Sequence, residues 1–289
     1  MINNKKLTLS IVIPVFNEED YLADCLDSIT AQSELPDEVI VVDNNSSDRS
    51  MAIAKEYPFV KIISEKKQHQ AFAQKKGFDY SSSEILGRID ADCVLPKDWV
   101  KKVKLSFAAD PKTAAVTGGL YPTEIFFVQT ARLLFYLYHI RLPKLVIGHH
   151  MLYGSNSAFR RSAWRKISRH VLQRPDIWED YDLSFCLNDY GRITFLDGIE
   201  VQASLRTVRH SLLWLYRYQY RGIRTVFLRA PFQRALIYAA IYNTLIIPYI
   251  LPYFLDNARY LLTKKIMEKR PAAENYSASG RSLNPKTID

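Results

Sequence analysis

The residues best suited to chemistry fall into two acidic clusters. Asp90-Ala91-Asp92 sets two carboxylates one residue apart, and hard oxygen ligands at that spacing can reach a divalent cation together. Helix caps and surface turns also produce this triplet, so its meaning depends on where the fold puts it. Glu179-Asp180 opens a segment of helical pattern, Tyr181 to Tyr190, where an acidic pair at least complements the helix dipole. Asp43 and Asp48 bracket a polar turn, with turn formation and capping as their plain reading. His210 stands alone. Arg217, Arg221 and Arg224 interleave with Trp214, Tyr216, Tyr218 and Tyr220. That pattern suits diphosphate or lipid-phosphate binding, and equally an interfacial helix whose arginines reach toward headgroups.

Two alternating periods define the elements that must hold these clusters. Leu9 to Phe16 is a continuous apolar run, and Leu22, Cys25, Leu26 and Ile29 follow at helical spacing. The alternation repeats as Glu38 to Asp43 with a helix from about Asp48 to Glu56, then Val60 to Ser64 with a helix from about Gln70, then Ile85 to Ile89. Doubly buried strands joined by helices predict an α/β fold, a mostly parallel central sheet flanked by helices. In such open sheets ligands bind beyond the carboxyl ends of the strands. Asn17-Glu18-Glu19, Asp43 to Asp48 and Asp90-Ala91-Asp92 all fall at those ends, so three loops converge on one rim.

A chain of 289 residues with 48% hydrophobic content can bury a sizeable core. Its net charge of +9 calls for an anionic partner, and the excess gathers around aromatic C-terminal segments. No recognition helix is apparent, which argues against nucleic acid. Cys25, Cys93 and Cys186 are odd in number and lack ligand spacing, so neither a disulfide framework nor structural zinc is expected. Met1 to Leu9 shows no secretory h-region, so the catalytic part is expected to stay in the cytosol.

Glu124 to Ile147 reads as an amphipathic helix. Ala235 to Leu255 is a 21-residue run without charge, about the length that crosses a bilayer. Pro248 and Pro252 interrupt it, and Arg224, Arg229 and Arg234 before it face Lys264, Lys265, Lys269 and Arg270 after it. Basic flanks on both sides put both ends in the cytosol, as in a re-entrant hairpin or in-plane helices. From about Pro271 the chain is polar and expected to be disordered.

Five ordered motifs resemble glycosyltransferase family 2, an inverting family with the GT-A fold, here of the membrane-associated bacterial type. They are Ile13-Pro14-Val15-Phe16-Asn17-Glu18-Glu19, Val42 to Asp48, Arg88-Ile89-Asp90-Ala91-Asp92, Ser157-Ala158-Phe159-Arg160-Arg161 and Trp178-Glu179-Asp180-Tyr181-Asp182-Leu183. The resemblance implies that Pro14, Phe16, Glu18, Asp43 and Asp90 bind a nucleotide-diphosphate-sugar donor. By the same likeness Asp92 ligates Mg²⁺ or Mn²⁺, with His210 as a further ligand. Asp180 is the implied base that takes the acceptor proton, with Glu179 as the alternative.

The division expected from this likeness is a catalytic domain over 1–210, membrane-associated helices over 211–262 and a tail over 263–289. The implied acceptor is a glycan or lipid-linked hydroxyl at the cytoplasmic membrane face, with one sugar added per encounter. The chain departs from the family pattern in α-helical residues before the triplet, where Gln74 and Lys75 stand in place of an arginine and an asparagine. A nucleotidyltransferase would carry a Gly-rich basic loop where Val15 to Glu19 is acidic. A binding scaffold without catalysis would not need Asp90, Asp92 and Asp180.

Overall fold

The computed structural model describes residues 6–122, 128–204 and 212–245, with residues 251, 255 and 259. His210, the beginning of the Glu124 to Ile147 stretch, most of 246–262 and the whole expected tail lie outside the described residues.

The first elements are β1 (Leu9–Val15), α1 (Leu22–Thr30), β2 (Glu38–Asp43), α2 (Ser50–Lys55), β3 (Val60–Ser64), α3 (Gln70–Tyr80) and β4 (Ile85–Arg88). Their strands pair in parallel in the order β3-β2-β1-β4. Ile11, Ile13 and Val15 share a core with Leu22, Cys25, Leu26 and Ile29 of α1, while Val12 shares another with Ala73 and Phe78 of α3. Burial on both faces explains why β1 is continuously apolar instead of alternating. Helix α3 approaches closely because Gly77 meets the sheet, where an added Cβ would lie 2.3 Å from Val12 Cγ1.

Next come β5 (Cys93–Val94), α4 (Trp99–Ala109), β6 (Thr113–Thr117), β7 (Leu120–Pro122), α5 (Val128–Phe135) and α6 (Leu142–Ile147). They are followed by β8 (Ser157–Arg160), α7 (Arg161–Ile167), α8 (Glu179–Asn188), β9 (Arg192–Phe195), β10 (Val201–Ala203) and α9 (Leu212–Arg229). A further helix, α10, covers 232–245. The seven-stranded sheet runs β3-β2-β1-β4-β8-β6-β9, and only β8 is reversed within it. Strands β5, β10 and β7 make a small second sheet. Buried Asn156 ties the layers together. Its Oδ1 accepts from Trp99 Nε1 at 2.8 Å, and its Nδ2 donates to the Gly119 and Ile199 carbonyls at 2.8 and 2.7 Å.

The stretch expected as one amphipathic helix is, where described, α5 and α6 joined by a π-helical segment, Tyr136–Arg141. The wider turn brings Tyr138, His139 and Ile140 all into the interior, which a 3.6-residue period would not do. There Tyr138, Leu142 and Ile147 join Trp178 and Tyr181 of the α8 region, Ile223 and Val226 of α9, and Tyr238 and Tyr242 of α10 in one core. Among the described residues no helix is long and apolar enough to cross a membrane.

Candidate active site

The loops after β1, β2 and β4 meet at one rim as the polar pattern predicts, and hydrogen bonds fasten the first two to each other. Asn17 adopts φ of 55° and Asn45 φ of 68°, left-handed values that asparagine tolerates in turns. The Asn17 Oδ1 accepts from the Ser47 N–H at 2.8 Å, and the Glu18 N–H donates to Ser50 Oγ at 2.7 Å. Asp48 accepts from the backbone of Glu19 and Ser50. Asn44 holds the next loop by donating to the Glu65 and Lys67 carbonyls and accepting from the His69 N–H.

These loops surround a cavity of about 590 Å³. Pro14, Phe16, Glu18, Asp90 and Asp92 line it, as does Trp214 with Tyr218 from α9. Asp43 is not part of this lining, and its Oδ1 instead accepts from the Ser46 N–H at 2.9 Å, the turn-forming role. The rings of Trp214 and Tyr218 stack with centroids 5.2 Å apart and planes within 6°, giving the cavity one flat aromatic wall. The sequence left this segment open between phosphate binding and an interfacial helix, and its spacing alone did not show that two of its rings would close a cavity more than a hundred residues away in the chain.

The two acidic clusters, far apart in sequence, converge on Arg88. Its guanidinium is only 3% exposed, and Nη2 reaches Asp90 Oδ1 at 3.2 Å and Glu179 Oε1 at 3.4 Å. Helix α3 supplies an amide to each carboxylate from successive turns. Gln70 Nε2 donates to Asp90 Oδ1 at 3.1 Å, and Gln74 Nε2 donates to Glu179 Oε1 at 3.3 Å. Gln74, the position where the family pattern has arginine, is therefore inside the site as a neutral donor, and the cation comes from β4. Arg88 lies in a motif that the sequence reading quoted without giving it a role.

Asp180 sits beside this group with its Oδ2 accepting from the Gly154 N–H at 3.0 Å. Burial first, and then the adjacent Glu179 charge, raise its carboxyl from the usual carboxylate range to about 7, against the opposing pull of Arg88. A carboxyl tuned there is poised to accept a proton near neutral pH. Asp182 has a different part. Fully buried, it accepts from the Leu172 N–H at 2.7 Å and from Arg229 at 2.6 Å, which pins the end of α9 to α8. Arg160 likewise is architectural, donating to the Thr113, Phe107 and Asp110 carbonyls.

Asp90 and Asp92 offer hard oxygen donors at the cavity edge. Their field is visible in the thiols beneath them, since burial together with the Asp92 and Asp90 charges pushes both Cys25 and Cys93 upward. Among the described residues no group of three or more His, Cys, Asp or Glu side chains is arranged to hold a metal ion. The two carboxylates Asp90 and Asp92, hard oxygen donors lining the cavity, are of the chemistry that suits a Mg²⁺- or Mn²⁺-type ion.

The family model for glycosyl transferase family 2 matches residues 10–168, more than half of the chain. The chain belongs to this family. A stretch of 101 residues is 34% identical to the glycosyltransferase AglE of Haloferax volcanii, covering 32% of this chain and 33% of that one. Another of 122 residues is 26% identical to the dolichyl N-acetyl-alpha-D-glucosaminyl phosphate 3-beta-D-2,3-diacetamido-2,3-dideoxy-beta-D-glucuronosyltransferase of Methanococcus voltae, over 38% of each chain. The matched stretch thus spans about a third of the length of such curated relatives.

Among solved structures, the mannosyltransferase PcManGT of Pyrobaculum calidifontis, in complex with GDP-Man and Mn²⁺, superposes with a TM-score of 0.65. Identity is 18%, over 93% of this chain and 82% of that one. TarS of S. aureus in complex with UDP-GlcNAc gives 0.59 at 14% identity, over 84% and 73% of the two chains. These likenesses show that the family 2 chain has the GT-A-like α/β fold.

Proposed function

We propose that this family 2 chain is an inverting, divalent-metal-dependent glycosyltransferase that moves one sugar from a nucleotide-diphosphate sugar to a glycan or lipid-linked hydroxyl. The observation that carries the reading is convergence. The acidic triplet after β4 and the acidic pair opening α8 meet through one buried arginine beside a cavity of about 590 Å³. The nucleotide complexes of the structural neighbours support the donor class.

In this reading Pro14, Phe16 and Glu18 flank the nucleotide, with Asp43 fixing the turn beside it. Asp90 and Asp92 face the diphosphate, Asp92 as the carboxylate that holds Mg²⁺ or Mn²⁺. A bound cation there supplies charge neutralisation to the departing nucleoside diphosphate. His210 remains the proposed additional ligand. Asp180 takes the proton from the acceptor hydroxyl as its oxygen attacks the anomeric carbon and the bond to the diphosphate breaks on the opposite face. Glu179 is the alternative base, though its Oε1 is engaged by Arg88 and Gln74.

The surface of the C-terminal helices supports a membrane face. Leu213, Tyr216 and Tyr220 of α9 are exposed, as are Phe232, Leu236, Ile237 and Ile241 of α10, although α10 buries Tyr238 and Tyr242 on its other side. Apolar residues on a solvent-facing side beside arginines suit an in-plane helix on an anionic leaflet. The proposed division stays 1–210, 211–262 and 263–289, with α9 serving both the membrane face and the cavity wall.

The test is a thermal-shift panel of nucleoside diphosphates and their sugars with and without Mn²⁺. A metal-dependent rise for one nucleotide class is expected, abolished by Asp92→Ala. No response to any nucleotide would refute the donor assignment.

A further inference from the structure

We infer that Arg88 is the positioning residue of the site, a buried cation that locks Asp90 on the donor side, and Glu179 with Asp180 on the acceptor side, into one rigid unit. The inference rests on the functional reading above and adds a residue role to it.

Three observations point to Arg88. First, one nitrogen, Nη2, spans Asp90 and Glu179, residues on different elements, at 3.2 and 3.4 Å. Second, Gly154 lies directly on the guanidinium. A Cβ at 154 would fall 2.2 Å from Nη1 and 2.4 Å from Cζ, so the backbone approaches to a distance only glycine permits. The same Gly154 gives its N–H to Asp180, so the packing of Arg88 sets the height of the group that orients Asp180. Third, Nε and Nη1 are buried with no hydrogen-bond partner among the described residues.

Burying an arginine with two idle donors is unfavourable for folding alone. Burial works against its charge, yet Asp90, Glu179 and Asp180 hold the guanidinium above its usual range. The side chain is therefore kept in place by the three carboxylates it organises. Gln70 and Gln74 complete the unit from α3 by bonding the same two oxygens, Asp90 Oδ1 and Glu179 Oε1, that Arg88 bonds. Neutral amides on α3 and a cation on β4 leave one positive charge among these three carboxylates.

The experiment compares the full chain with Arg88→Lys, Arg88→Met, Gly154→Ala and the Arg88→Met, Gly154→Ala pair. For Arg88→Met we expect kcat to fall by about tenfold or more with a smaller change in donor KM, and Arg88→Lys to restore part of it. The acid limb of the kcat profile should move to higher pH in Arg88→Met, because Asp180 loses the cation while Glu179 and the Tyr218 hydroxyl still face it. Gly154→Ala should be harmful while the guanidinium is present and nearly silent once Arg88→Met has put a shorter, neutral side chain beneath it, a non-additive cycle.

Wild-type kcat and an unmoved profile in Arg88→Met would overturn the role, as would additive effects of the pair. Should Arg88→Met fail to fold by circular dichroism, Arg88→Lys and Gly154→Ala alone must reproduce the kcat loss at unchanged fold, or the inference fails. If the wild-type chain transfers no sugar, the functional reading fails by itself. The thermal melts of the same four variants still decide whether Arg88 and Gly154 are coupled.

Discussion

Asp180 combines two demands that pull in opposite directions. As the proposed base it must lose its proton, and its environment resists that loss because burial and Glu179 raise the carboxyl to about 7. Turnover is therefore expected to rise with pH and reach half its plateau near 7, measured as kcat from acid to mildly alkaline buffer. Asp180→Asn keeps the acceptor for the Gly154 N–H but removes the base, so kcat should drop by about 10² or more with donor binding nearly unchanged. Undiminished turnover would exclude Asp180 from this role.

The same substitution should stabilise the unliganded protein. The folded-state value exceeds the unfolded value of 3.8, so between the two the folded chain holds a proton that the unfolded chain has released. Stability from this group is complete below the unfolded value and declines as pH rises toward about 7. Thermal melts should show Asp180→Asn gaining most over wild type at about pH 8 and least at about pH 4. A gain independent of pH would contradict the assigned cause.

At the scale of elements, α3 and α9 decide whether the side chains meet. Gly77 seats α3 on Val12 and Val42, and Gln70 and Gln74 lie on the preceding turns of the same helix. Gly77→Ala should push the helix outward and cost about 1–3 kcal/mol in chemical denaturation. It should also loosen both amides from Asp90 and Glu179, lowering kcat beyond the stability loss. Helix α9 is seated in a comparable way, through Gly222 against the Trp178 ring, where a Cβ would lie 2.6 Å from Cε3. Gly222→Ala is expected to displace the Trp214 and Tyr218 wall of the cavity, lowering the thermal shift given by a bound nucleotide.

These elements mark how far sequence reading reached. The strands β1 to β4 and their helices were legible because each carries its own period and its polar end. The convergence of Asp90 with Glu179 was foreseen only through the family likeness. Arg88, Gly154 and Asn156 were not foreseen, since their importance lies in approaches between segments dozens of residues apart. A local pattern contains nothing of a guanidinium lying under a glycine backbone. The Glu124 to Ile147 stretch is helical where described, but hydrophobic spacing alone did not disclose the π-helical segment Tyr136–Arg141 inside it.

At the scale of the whole molecule, the exposed apolar face of α9 and α10 leads to a vesicle prediction. The full chain should sediment with vesicles containing anionic lipid and release as salt is raised, while neutral vesicles retain less of it. Phe232→Ser, Leu236→Ser and Ile237→Ser together should weaken that binding without unfolding the chain, since all three are exposed. Deleting α10 would be a poorer test, because Tyr238 and Tyr242 belong to the aromatic core. Absence of binding to anionic vesicles would rule out the membrane face.

The reversed strand β8 has a consequence for how the chain comes into being. It lies between β4 and β6, so the edge of β4 stays open until Ser157–Arg160 arrives. At a synthesis rate of roughly 5–20 residues per second, the roughly 70 residues between the two strands leave that edge unpaired for several seconds. During this interval an apolar strand ending in Arg88 has neither its neighbour nor Glu179 to meet its charge. A nascent chain stalled before residue 157 should therefore present a sticky, half-built sheet to chaperones, and one stalled well after residue 188 should not.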